Sequence, residues 1–117
     1  ATAVERTLED ERGRWLLDSS HRESATELAL TGRLGREVVS VVIDRTFVDA
    51  AGVRWIVDYK TSRHEGAGLE VFLDSERERY RPQLERYAAL VRKLATEPVR
   101  LGLYFPLLGG WREWPAA

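Results

Sequence analysis

The sequence contains no cysteine. That excludes disulfides and thiolate metal centres, and it fits a reducing compartment such as a bacterial-type cytoplasm. Methionine is also missing, even at the first position, so the expectation is a piece excised from a longer chain. No apolar run approaches the ~18 residues of a membrane-spanning helix. The opening Ala1-Thr2-Ala3-Val4-Glu5-Arg6 has no secretory pattern, and no membrane partner is expected. There is no excess of either charge: the net charge is -1, although 32% of residues are charged. Global attraction to nucleic acid is therefore excluded, and any phosphate binding must come from local arginine placement. Repeats and low-complexity segments are absent too. What remains is 117 residues, enough for one domain, with four Trp, four Tyr and three Phe to anchor one core.

Val4 and Leu8, with Trp15 and Leu16, form a weak apolar stripe. It predicts a short amphipathic helix over 3–17, broken at Gly13. Asp18-Ser19-Ser20-His21 reads as a connection. Strands are expected at Thr26–Leu30, closed by Thr31-Gly32, at Glu37–Phe47 and at Val53–Thr61. The last two make a hairpin if Asp49 pairs with Val53, with Gly52 at the left-handed position of the loop Ala50-Ala51-Gly52. In that register Asp44 lies opposite Asp58. Tyr80, Leu84, Tyr87, Val91 and Leu94 recur at helical spacing, which predicts a main helix over Asp74–Thr96. Asp74 or Ser75 would cap it, with Glu76 and Glu78 in the first turn. Pro82 sits too deep for that start, so a helix beginning near Arg81 stays open. Glu97-Pro98 ends the helix, Val99–Phe105 is a fourth strand, and Gly109-Gly110 turns into a short Trp111–Trp114 segment. The order helix, three strands, helix, strand implies an α/β domain.

Asp58-Tyr59-Lys60 stands out. In a strand, Asp58 and Lys60 project from one face, and Trp55, Val57 and Tyr59 from the other. Asp44 and Asp58, opposite each other on one face, repel and weaken the hairpin. A divalent cation removes that repulsion, and hard carboxylate oxygens suit Mg²⁺. Such a cation polarises a phosphate oxygen and acidifies bound water. Lys60 beside it either positions and activates that water or stabilises charge on the phosphorus centre. The plainer alternative is ion pairing on a solvated face: Asp58 with Lys60, and Asp44 with Arg45 or Arg36.

Ile43-Asp44-Arg45 followed by Trp55-Ile56-Val57-Asp58-Tyr59-Lys60-Thr61-Ser62 resembles the PD-(D/E)XK nuclease superfamily. Gln83-Leu84-Glu85-Arg86-Tyr87 is similar to the Gln-x-x-x-Tyr motif of its RecB-like branch, the C-terminal nuclease domain of UvrD-type helicase–nucleases such as RecB and AddA. The resemblance covers roughly residues 15–114. It implies a restriction-endonuclease-like core, a central mixed β-sheet flanked by helices, forming a single domain over 1–117. It further implies a Mg²⁺-dependent deoxyribonuclease, exodeoxyribonuclease-like, with Mn²⁺ as a substitute ion. DNA is the implied substrate, in double-strand break repair and recombination. The implied partners are ATP-driven helicase domains upstream in the parent chain and a partner subunit. The alternative is a catalytically silent nuclease fold that binds DNA or serves as a scaffold.

The same resemblance implies Asp44 and Asp58 as metal-binding acids, the Tyr59 carbonyl as a further ligand, and Lys60 as the catalytic lysine. It implies Gln83 and Tyr87 as helix residues bordering the site, although Tyr87 also fits the apolar stripe. Many relatives of this kind add a histidine ligand, for which His21 is the candidate. Glu27 on the first strand, or Glu9 on the first helix, is the candidate third acid. Arg45, Arg63 and Arg81 are the expected DNA contacts, among a wider group with Arg77, Arg79 and Arg86. Glu65, Glu70, Glu76, Glu78 and Glu85 interleave with these, as on a salt-bridged solvent face. His64 falls in the loop after the third strand. Trp111 and Trp114 are expected either to stack on bases or to pack in the core.

Overall fold

The computed structural model describes residues 2–117; Ala1, the first residue of the expected domain, lies outside them. The elements run α1 (Ala3–Glu9), α2 (Glu11–Leu16), β1 (Arg22–Leu34), β2 (Glu37–Val48), β3 (Arg54–Tyr59), α3 (Leu69–Val91), β4 (Val99–Phe105) and β5 (Gly110–Pro115). The strands form one sheet in the order β1-β2-β3-β4-β5. Only β3 and β4 are parallel, and α3 is the crossover that parallel pairing requires. The sheet buries both faces. On one, Ile56, Leu101, Leu103 and Phe105 pack against Leu73, Leu84, Ala88 and Val91 of α3. On the other, Phe47, Trp55, Val57 and Tyr104 pack against Leu16 of α2.

The β2–β3 hairpin has the register implied by its loop. Asp49 N–H donates to the Val53 carbonyl at 3.0 Å, and Gly52 takes φ +83°, where a side chain is strained. The Asp49 carboxylate fixes the turn, accepting from the Ala51 and Val53 N–H groups and from Trp55 Nε1. Arg45 pairs with Val57, so Asp44 and Asp58 hold the next register position. There the ladder opens. Asp44 Oδ2 accepts the Tyr59 N–H at 2.8 Å, a side chain standing in for a backbone carbonyl.

At the same place the β1–β2 ribbon changes face. Arg45 pairs with Thr26 and Ile43 with Leu28, but Asp44 and Glu27 between them do not pair, and Glu27 has φ +52°. Beyond this point Ile43 and Val41 face α3; before it Phe47 faces α2. An irregularity of this kind re-aims side chains and is common beside functional sites.

Several elements differ from expectation. The first helix is two, broken at Asp10 (φ -95°, ψ 136°) rather than at Gly13. Asp10 caps α2 through the Gly13 N–H and also accepts from the Tyr104 hydroxyl at 2.8 Å. Gly13 is needed for close approach instead: a Cβ there would lie 2.1 Å from the Thr7 carbonyl oxygen. Strand β1 runs far beyond Thr26–Leu30, because pairing with β2 extends an edge strand whose first half, Arg22–Glu27, is mostly exposed and whose alternation begins only at Leu28. Helix α3 starts at Leu69, not at Asp74, Ser75 or Arg81, since Leu69, Phe72 and Leu73 join its core face. Pro82 lies inside the helix on an exposed position, where water can serve the carbonyl left free at Glu78. The helix ends at Val91 and leaves Leu94 exposed. The Trp111–Trp114 segment is a fifth strand: Trp114 joins the α3 core, and Trp111 packs against the α2 cluster.

Candidate functional site

Where β2 and β3 part, Asp58 and Lys60 emerge on the α3 face. Asp58 is only 5% exposed. The Lys60 ammonium lies 2.6 Å from its Oδ2. This is a close, largely buried ion pair. Burial, then hydrogen-bonding contact with Asp44, holds the Asp58 carboxyl up at about 6, against the pull of Lys60. Two carboxyl groups thus share one corner, one of them buried, with the Lys60 ammonium beside it to offset their charge. That is the arrangement a cation relieves. Tyr59 turns to the opposite face, against Tyr104. Its hydroxyl is buried without a hydrogen-bond partner among the described residues, and burial raises its pKa.

Helix α3 covers this corner with one stripe. Glu76, Tyr80, Gln83 and Tyr87 follow at spacings of three or four and so share a face. Each is tied to the site or its neighbour. Ser62 donates to Glu76 Oε1 at 3.5 Å. The Lys60 ammonium sits 3.9 Å from the Tyr80 ring centroid. Gln83 Nε2 donates to the Tyr87 hydroxyl oxygen at 2.6 Å. Burial and then the Asp58 charge raise the Tyr87 pKa, while the Gln83 hydrogen bond opposes them. Tyr87 is only 6% exposed in the core, and it also lies close enough to the acids to feel the Asp58 charge. Glu76, also 6% exposed, and Tyr80 line the same stripe, next to Ser62 and Lys60, and neither was expected there from sequence. Their spacing to Gln83 and Tyr87 is the signal that would have found them.

Asp44, Asp58, Lys60, Gln83 and Tyr87 are therefore brought together, with the Tyr59 backbone between the acids and the lysine. Other candidates are not. No group of three or more His, Asp or Glu residues is placed to hold a metal among the described residues. Glu27 holds the register position facing Asp44, but its left-handed φ and exposure leave it out of such a group. Glu9 is exposed at the end of α1. His21 stacks on Phe47 at 3.9 Å and contacts the Trp15 carbonyl through Nε2, on the α2 face. Its ring is thus engaged on the side of the sheet away from the acids. His64 stacks on Phe72 and bonds the Ala67 carbonyl, which orders the loop after β3.

The arginines need correcting. Arg45 is no phosphate contact: it is 8% exposed, and its guanidinium donates to the Leu16 carbonyl and the Thr26 hydroxyl, tying α2 to the sheet. Arg81 points to the β5 flank of α3, paired with Glu78 and lying over the Trp114 ring. Arg63 alone of the three is exposed near the site, on the segment leaving Lys60.

No helix is long and apolar enough to cross a membrane among the described residues. No curated protein matches the chain. The sequence profile of the PD-(D/E)XK nuclease superfamily matches residues 1–109, and the five-stranded mixed sheet with its helices agrees with that superfamily's restriction-endonuclease-like core.

Proposed function

We propose, since the chain belongs to the PD-(D/E)XK nuclease superfamily, that it is a Mg²⁺-dependent deoxyribonuclease domain that hydrolyses DNA phosphodiester bonds. The observation that carries this reading is the corner formed by Asp44, Asp58 and Lys60, in which a buried Asp58 carboxyl is pushed up to about 6 by burial and by Asp44 despite its contact with Lys60. Asp44, Asp58 and the Tyr59 carbonyl are the residues that would hold the cation, and a set of hard oxygens suits Mg²⁺ or Mn²⁺. Bound there, a divalent cation polarises a phosphate oxygen and lowers the pKa of water. Lys60 supplies a fixed positive charge beside Asp58, where negative charge grows on the phosphate during attack. Tyr87 accepts from Gln83, so its own proton is free to donate toward a phosphate oxygen. Arg63, exposed three residues beyond Lys60, is the arginine proposed to hold the DNA backbone.

The Gln83–Tyr87 pair beside the acids is the reason to place the domain within a RecB-like helicase–nuclease that acts in DNA break repair and recombination. The motor domains and a partner subunit would then deliver the strand. The test incubates the domain, Asp58→Ala and Lys60→Ala with linear single- and double-stranded DNA and Mg²⁺ or Mn²⁺. Metal-dependent cleavage lost in both variants is the expected result. DNA binding without cleavage, even when the domain is joined to its motor, would replace it with a catalytically silent module.

A further inference from the structure

We propose that Tyr80 is a positioning residue for Lys60, holding the ammonium against the face of its ring. This rests on the reading of Lys60 as the charge that acts on the phosphate. Lysine has a flexible four-carbon stem and no preferred geometry at its charge. To act on one phosphorus centre the ammonium must be confined. Its one carboxylate contact is Asp58 Oδ2 at 2.6 Å, and Asp58 is the residue proposed to hold the cation. The Tyr80 ring is the second contact, 3.9 Å from Nζ to the centroid. The Lys60 side chain is only 18% exposed, and such attraction strengthens where water is excluded. A ring face attracts a cation without a formal negative charge, so it still holds the ammonium when Asp58 is engaged elsewhere.

Surrounding contacts fix the ring itself. The Arg79 guanidinium lies 5.1 Å from the Tyr80 ring centroid and 3.6 Å from Glu76, one turn earlier on the same stripe. Glu76 in turn accepts from Ser62, two residues beyond Lys60. Helix α3 thus grips the outgoing end of β3 on both sides of the lysine, with Tyr80 on the ammonium and Glu76 on Ser62. The ring face carries this role and the hydroxyl does not, which separates the conservative variants.

The test uses the whole chain with Tyr80→Phe, Tyr80→Leu and pentafluorophenylalanine at position 80, which keeps the ring's shape but reverses its quadrupole. The first readout is the proton shift of the Lys60 ε-methylene by NMR, without metal or DNA. It should lie upfield in the parent and Tyr80→Phe, and return to the ordinary lysine position in Tyr80→Leu. The second is the single-turnover cleavage rate. It should fall roughly ten-fold in Tyr80→Leu and in the fluorinated protein relative to Tyr80→Phe, with KM for DNA unmoved. An ordinary lysine shift in the parent would overturn the contact. Fluorinated protein as active as Tyr80→Phe would show that the ring acts by packing alone, and equal loss in Phe and Leu would assign the role to the hydroxyl; either overturns the proposal. A parent that shows the shift but cleaves no DNA would count against the nuclease reading and leave the contact standing.

Discussion

Asp58 is held in a setting that works against its own charge. Burial and Asp44 outweigh Lys60, which is why its pKa rises to about 6. The sign follows from linkage. The folded state binds this proton more tightly than the unfolded chain, so Asp58 removes stability as pH rises from about 4 to about 6, and the loss is complete above that. Without divalent cation, Asp58→Asn should therefore stabilise the protein at pH 8, by on the order of 1–3 kcal/mol. The gain should shrink through pH 6 and vanish near pH 4, as read by thermal unfolding at each pH. With millimolar Mg²⁺ the order should reverse, because a ligand that binds only the native parent stabilises it by mass action. A destabilised Asp58→Asn at pH 8 without metal would mean that the Lys60 ion pair dominates the site. Asp58 and Lys60 were readable because strand alternation fixes their common face. Arg45 and Glu76 were not, since a charged residue reads as exposed until the chain's path shows what surrounds it. Arg45 is buried by the α2 terminus it binds, and Glu76 by the β3 exit beneath α3.

At the scale of elements, the hairpin was the most legible part. Its loop chemistry and its register are the same local fact, with Asp49 and Gly52 fixing where Asp44 meets Asp58. Strand β4 was legible because Glu97-Pro98 ends the helix just before its mostly apolar run Val99–Phe105. The body of helix α3 was legible from its stripe, but its start was not, because local signals at Asp74, Ser75 and Pro82 oppose tertiary packing that begins at Leu69. Packing wins there, and the conflict leaves a measurable residue. Proline in a helix interior is disfavoured by up to ~3 kcal/mol, and Pro82 is exposed with no packing role to lose. Pro82→Ala should raise stability by about 1–3 kcal/mol, seen as a higher denaturation midpoint at unchanged m-value. A lower midpoint would show that the proline shapes α3 rather than straining it. The α1–α2 corner makes the opposite prediction. Gly13→Ala places a methyl group against the Thr7 carbonyl and 2.8 Å from the Tyr104 hydroxyl, both backed by packed structure. Loss of about 2 kcal/mol or more is expected by the same measurement.

For the molecule as a whole, the question is how a chain of net charge -1 holds a polyanion. Most arginines around α3 already have carboxylate partners: Arg77 with Asp74 and Glu78, Arg79 with Glu76, Arg81 with Glu78, and Arg86 with Glu37. Glu76 is buried, but the other pairs are exposed and worth only ~0–1 kcal/mol, so DNA can open them. Opening them gains little, because each released carboxylate stays beside the phosphate and cancels the field of its arginine. Local neutrality, more than the strength of the pairs, therefore limits affinity. The isolated domain should bind single-stranded DNA weakly, with a salt slope corresponding to about one or two phosphates rather than six to ten. Fluorescence anisotropy across a NaCl series, with the metal chelated to prevent cleavage, measures this directly. Arg63→Ala should weaken binding across sequences and lower the slope by about one, whereas Arg81→Ala, turned toward Trp114, should leave it unchanged. A slope near six for the isolated domain would mean that the paired arginines do carry the strand. A small slope would place the burden of affinity on whatever delivers the DNA. Covalent attachment of a DNA-binding motor raises the local strand concentration to about millimolar, enough to load a site that binds weakly alone. Fusing the domain to such a motor should then raise its rate of cleavage at low DNA concentration while leaving the rate at saturating DNA unchanged.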